Sequence, residues 1–141
     1  MPKKPVVILD TNVFVSGLIS PQGVPGAILL RFRQGAFDIV TSKAQVREIQ
    51  LVLKRPTLSR ALPSGTAKEI LRFFLAFKKL TRVIKPPKLP WEFKDVGDHF
   101  LLDLAVYSKA NFLITGDKAL RSLLLVGQCA VVSPAEFLAR L

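Results

Sequence analysis

The hydrophobic positions of this chain fall into short aliphatic runs separated by longer amphipathic stretches. Val6-Val7-Ile8-Leu9 is the first run, ending abruptly in Asp10, and it predicts a short strand buried on both faces. Thr11 to Ile19 carries apolar Val13, Phe14, Leu18 and Ile19, with Gly17 allowing close packing or a helix end. After a loop at Ser20-Pro21-Gln22-Gly23, Val24 to Gln34 reads as an amphipathic helix closed by Gly35. Its Ile28, Leu29 and Phe32 face inward, and Arg31 and Arg33 outward. Phe37 to Thr41 predicts a second strand. Ser42 suits the N-cap of a helix that runs through Lys54 and stops before Pro56. Val46, Ile49, Val52 and Leu53 form its apolar stripe, and Glu48 lies beside that stripe.

The alternation continues in the second half. Pro56 to Gly65 reads as a polar linker. Thr66-Ala67-Lys68-Glu69 has the signature of a helix start, and the helix continues through Leu80. Its Ile70, Leu71, Phe73, Phe74, Leu75 and Phe77 leave much of the circumference apolar, as a core face or a dimer face. Thr81 to Ile84 predicts a third strand, and Lys85-Pro86-Pro87-Lys88-Leu89-Pro90 forces an extended loop. Asp95-Val96-Gly97-Asp98 leads into a helix ended by Asn111. Phe112 to Thr115 predicts a fourth strand, Ala119 to Leu125 a short helix, and Cys129 to Val132 a fifth strand. Ser133-Pro134-Ala135-Glu136 opens a last helix with proline just inside its start. This alternation predicts a three-layer α/β/α sandwich around a mostly parallel sheet of about five strands, in one domain over 1–141.

Composition narrows the picture. Half of the 141 residues are hydrophobic, enough for a core without disulfides or structural metal. The lone Cys129 excludes an internal disulfide framework and fits a reducing compartment. The basic start Met1-Pro2-Lys3-Lys4-Pro5 leads into a run too short for a signal peptide. No apolar run approaches the roughly 18–20 residues that span a bilayer, so a cytoplasmic protein without membrane contact is expected. Lysine and arginine total 21 against 10 acids, a formal charge of +11. Such a surface attracts polyanions, nucleic acid foremost, with an acidic protein partner or a merely basic soluble protein as the alternatives.

The scarcity of acids lets each be weighed. Two strands end alike, Ile8-Leu9-Asp10 and Ile114-Thr115-Gly116-Asp117, and in a parallel sheet both acids project from one edge. Asp98, at a helix start, can reach the same edge, and Glu48 can lean over it. An N-cap is the duller reading of Asp10. Four carboxylates at ~4–6 Å would repel one another by several kcal/mol. A divalent cation relieves that repulsion, and oxygen-only ligands point to Mg²⁺ or Mn²⁺. Zinc is disfavoured by a supply of one Cys and one His. His99 reads as a first-turn polar residue, or else as a neighbour of the ligands. No nucleophilic triad, P-loop or dinucleotide fingerprint is visible. Asp38 opens a strand, Glu69 and Glu136 sit at helix N-termini, Glu92 is in a loop, and Asp103 points away from Asp98. Asp95 reads either as a helix-entry residue or as an outer acid of the site.

These residues carry a resemblance. Leu9-Asp10-Thr11-Asn12-Val13 resembles the opening motif of PIN-domain proteins, the nuclease domain of many toxin–antitoxin systems. Glu48-Ile49-Gln50-Leu51-Val52-Leu53, ending in Lys54-Arg55-Pro56, is similar to the second acidic motif of one prokaryotic branch. Asp95-Val96-Gly97-Asp98 with Leu101, Leu102, Leu104 and Ala105 resembles the third motif, and Leu113-Ile114-Thr115-Gly116-Asp117-Lys118 the fourth. The tail, Ser133-Pro134-Ala135-Glu136-Phe137-Leu138, resembles that branch's ending. In one departure, Gly97 stands where the branch often has an acid.

The resemblance implies a VapC-like endoribonuclease dependent on Mg²⁺ or Mn²⁺, with Asp10, Glu48, Asp98 and Asp117 as its acidic cluster and catalytic metal ligands. Asn12, Thr115, Ser16 and Asp95 would support them. Lys43, Arg47, Lys118 and Arg121 are candidates for holding RNA phosphates. A cognate antitoxin and a homodimer are the implied protein partners. The rival readings are a non-catalytic protein that binds nucleic acid or an antitoxin, and an aspartate-based phosphatase. The phosphatase would want a second acid where this chain has Asn12.

Overall fold

The computed structural model describes residues 4–61 and 66–141. Strand β1 (Val6–Leu9) is followed by helices α1 (Thr11–Ile19) and α2 (Val24–Arg33), then β2 (Asp38–Ser42), α3 (Lys43–Leu53) and α4 (Pro56–Ala61). Next come α5 (Thr66–Leu80), β3 (Arg82–Ile84), a 3-10 turn at Val96–Asp98 and α6 (His99–Ser108). The chain finishes with β4 (Phe112–Ile114), α7 (Lys118–Arg121), β5 (Leu125–Val126), β6 (Cys129–Val132) and α8 (Pro134–Ala139).

The six strands lie in the order β3-β2-β1-β4-β6-β5. Every pairing is parallel except β5 with β6. Strand period sorts neighbours onto opposite faces. Val7, Leu9, Ile39, Ile114 and Val132 join one core with Phe14, Ile28, Phe74, Phe77 and Phe137 from helices. Ile8, Val40, Leu113 and Val131 join a second core with Leu101, Leu104 and Leu120. These two cores make the three-layer α/β/α arrangement that the alternation predicted.

The α5 aromatics divide between core and rim. Phe74 and Phe77 are buried, Phe77 with its ring centroid 4.2 Å from that of Phe14. Phe73 is half-buried under the guanidinium of Arg33, 5.4 Å from its ring centroid. Leu71 and Leu75 are exposed. Gly17 serves close packing within α1, since a Cβ there would lie 2.6 Å from the Leu29 side chain. A Cβ on Gly26 would collide with the Pro21 backbone. No single helix among the described residues is long and apolar enough to cross a membrane.

Three expected boundaries are corrected. Pro56–Ala61 is helical rather than linker, while 62–65 lie outside the described residues. Asn111 does not end α6, because Lys109 in the left-handed conformation already closes it. Asn111 instead grips β1, accepting from the Val6 N–H at 2.8 Å through its side chain. The helix expected over Ala119–Leu125 is a single turn that stops at Arg121. Leu124 takes a positive φ of 62° and its carbonyl accepts from Val131 N–H at 2.9 Å, which starts the hairpin of β5 and β6. This edge hairpin is the sixth strand that the sequence pattern did not show.

Candidate active site

The chain moves outward from β1 to β2 and β3, then returns to the other side of β1 with β4. The strand order therefore reverses between β1 and β4, the place where open α/β sheets form a ligand crevice at the carboxyl ends of their strands. Asp10 follows β1 directly, and its N–H donates to Ile114 of β4 at 2.9 Å. Asp10 is buried, and its Oδ2 accepts from the Thr115 hydroxyl at 2.7 Å. The same Thr115 oxygen accepts from the Asp117 N–H at 3.0 Å, so one hydroxyl fixes both strand-end acids. Asp10 and Asp117 also cap the helices after them, Asp117 accepting from Ala119 N–H at 2.7 Å. The N-cap and site readings of Asp10 are thus compatible.

Glu48 approaches from α3, where Thr11 Oγ1 donates to its Oε2 at 3.1 Å. Helix α3 is locked to the sheet by buried Gln45, one turn before Glu48. The Gln45 amide donates to the Leu9 carbonyl and accepts from Thr41 Oγ1 at 2.7 Å. Asp98 arrives from the 3-10 turn before α6, with its N–H donating to the Asp95 carbonyl at 3.0 Å. Asp95, Asp98 and Asp117 each place a carboxylate oxygen within 4.8 Å of the others.

The electrostatics match this crowding. Burial and the charges of Asp10, Asp117, Asp95 and Glu48 push the Asp98 carboxyl up to about 6. Burial raises Asp10, assisted by Asp117 and opposed by the Thr115 hydrogen bond. Glu48 is raised by burial and by Asp10, and opposed by its Thr11 bond and by Arg55. Carboxylates that resist ionisation together, with no soft donor beside them, suit a hard divalent cation. The grouped side chains present only carboxylate oxygens.

The other candidates divide. Thr115 is at the centre. Asp95 is exposed, and a carboxylate oxygen of it lies within 4.8 Å of those of Asp98 and Asp117. Asn12 donates its backbone N–H to Asp10 Oδ1 at 3.5 Å, but its side chain, like that of Ser16 one turn later, is on the exposed face of α1. Lys43 and Lys118 are exposed at the first positions of α3 and α7, and Arg47 is exposed one turn along α3, next to Glu48 in sequence. Arg121 is half-buried, its charge acting on Glu136, and its Nε is buried without a hydrogen-bond partner among the described residues. His99 bonds the Phe93 carbonyl at 2.8 Å and so braces the loop. Asp103 does point away from Asp98, and it is buried as the acceptor for Leu89 N–H and the Trp91 indole. Sequence reasoning missed Thr11, Gln45 and Arg55. Gln45 left a signal, a polar residue on the inward stripe of α3.

The PIN domain family model matches residues 6–119. The chain belongs to the PIN domain family. Protein MJ1680 of Methanocaldococcus jannaschii is 37% identical over 117 residues, covering 83% of this chain and 74% of that protein. Among solved structures, VapBC2 from Rickettsia felis bound to a DNA fragment from their promoter matches this PIN domain with a TM-score of 0.60 at 14% identity. That match covers 91% of this chain and 98% of the other. PAE2754 from Pyrobaculum aerophilum matches with a TM-score of 0.58 at 14% identity, covering 97% and 88%. Both are likenesses of fold.

Proposed function

We propose that this PIN domain is an endoribonuclease that uses Mg²⁺ or Mn²⁺ to hydrolyse RNA phosphodiesters, and that it is the cytoplasmic toxin of a type II toxin–antitoxin pair. The observation that carries the reading is the convergence of Asp10, Glu48, Asp95, Asp98 and Asp117 at the reversal of strand order. Asp10, Asp98 and Asp117 would hold the ion, with Glu48 and Asp95 beside them. A bound divalent cation would lower the pKa of water, orient the scissile phosphate and offset developing charge.

The chain's own groups do the rest. Thr115 ties down one oxygen of Asp10, and the backbone N–H groups of Asn12 and Thr11 act on the same carboxylate. Thr11 holds Glu48 in the same way. A carboxylate not engaged by the ion accepts a proton from the attacking water. Lys43, Arg47 and Lys118 bind flanking phosphates, and the +11 charge draws the strand in. The antitoxin assignment rests on the motif resemblance and on the fold shared with VapBC2.

The test is cleavage of single-stranded and structured RNA with Mg²⁺ or Mn²⁺ by Asp10→Asn and Asp98→Asn proteins of unchanged circular dichroism. Each should lose about 10²–10³-fold of activity, and undiminished cleavage refutes the site. Calorimetric titration with Mn²⁺ separates the rival: no binding heat favours a non-catalytic binding protein.

A further inference from the structure

Next to the acid cluster lies an open cavity of about 670 Å³ that none of the roles above uses. Its size is within the ~300–1,000 Å³ range of small-ligand sites. One wall is the segment Trp91 to Asp95, and the facing wall is α7 with the hairpin that follows it. Asp95 belongs both to the cavity and to the carboxylate trio, so the two sites are continuous. The remaining surface is mainly apolar and aromatic, from Trp91, Phe93, Leu102, Leu123 and Leu125. Lys94 and Glu92 supply the other charges of the lining.

The aromatic wall is held in place before any ligand arrives. The Trp91 indole N–H donates to Asp103 Oδ1 at 2.7 Å, and the same oxygen accepts from Leu89 N–H at 3.0 Å. The Phe93 carbonyl is bonded to His99 at 2.8 Å. Opposite, Leu125 is 63% exposed, an apolar side chain left in water at the lip of the site. Aromatic and aliphatic walls beside a phosphate-handling centre suit an unstacked nucleobase. A base inside a duplex cannot enter, because its faces are already covered.

We propose that this cavity is a nucleobase subsite, receiving one unpaired base of a single-stranded RNA whose neighbouring phosphate lies at the acid cluster. The proposal rests on the nuclease reading of that cluster and adds to it a pocket for one base. Trp91 is the sole tryptophan of the chain, so its emission reports on this cavity.

The experiment mixes the protein in Mg²⁺ with a short single-stranded oligoribonucleotide or its duplex in stopped flow, following tryptophan emission and cleavage together. Saturable quenching by the single strand, and none by the duplex, is expected. Leu125→Lys adds a positive charge, which by electrostatics alone would tighten RNA binding. The subsite predicts the reverse, a rise in KM for the single strand of about fivefold or more as the apolar wall is lost. Quenching in a protein that cleaves neither strand keeps the subsite and overturns the nuclease reading alone. Cleavage with unchanged Trp91 emission and a wild-type or lower KM in Leu125→Lys overturns the subsite, and leaves the leucines as a protein-docking surface.

Discussion

Replacing Asp98 by asparagine should stabilise the metal-free protein while cutting its activity by about 10²–10³-fold. Burial first, and then the charges of four other acids, push the Asp98 carboxyl up to about 6 from 3.8. A native carboxyl with a raised pKa binds more protons than the unfolded chain between those two values, so stability falls as pH rises through that window. The loss is complete above about pH 6 and absent below about pH 4. Two units would be ~3 kcal/mol at 1.36 kcal/mol each. Because the side chain is only half-buried, solvent screening reduces this to on the order of 1 kcal/mol. For a chain of this length that is a rise in Tm of about 3–5 °C. The assay is thermal unfolding by circular dichroism in EDTA, with and without the substitution, from about pH 4 to 8. The variant should melt higher above pH 6 and converge with the wild type near pH 4. Added Mg²⁺ should reverse the order, because only the wild type gains strongly from binding. A variant that melts lower than the wild type in EDTA at neutral pH, or a gap independent of pH, would refute the crowding argument.

Two further substitutions probe the neighbours. Thr115→Val removes the hydroxyl that serves Asp10 and Asp117 while preserving shape, leaving the buried Asp10 carboxylate and the Asp117 N–H without that partner. It should cost about 1–3 kcal/mol in urea unfolding, and a cleavage rate within a factor of two of wild type would contradict its positioning role. Gly97→Asp restores an acid next to Asp98 in a place where a Cβ meets nothing within 4 Å. It should fold normally and bind Mn²⁺ about tenfold more tightly by calorimetry, ~1.4 kcal/mol; unchanged affinity would place that side chain outside reach of the ion.

The residues that were legible are those with one-dimensional signals. Val6–Leu9 announced its strand through an unbroken aliphatic run, and Asp10 and Asp117 declared themselves by ending two such runs. Glu48 and Asp98 were found through motif spacing, and the parallel sheet brings them to the same edge. What was not legible depends on contacts between distant segments. The short helix after Asp117 has good helix formers through Leu125, but pairing with β6 takes Leu125 and Val126 into a strand. Asn111 looked like a helix stop because its partner, Val6, is 105 positions away. Asp103 gave no hint of the two N–H groups it collects from the proline-rich loop. Asp95 could not be ranked from sequence, since its place among the acids depends on how the 3-10 turn folds back.

The bond between Thr115 and Asp10 joins residues 105 positions apart in sequence, and this sets a clock. Synthesis at about 5–20 residues per second separates the appearance of the two side chains by roughly 5–20 s. During that interval β1 has no β4 to pair with, Asp117 does not exist, and the crevice has only one side. A ribosome-bound fragment that ends before Thr115 therefore carries no assembled site. On the nuclease reading proposed above, topology keeps the nascent form without a complete crevice until β4 joins β1.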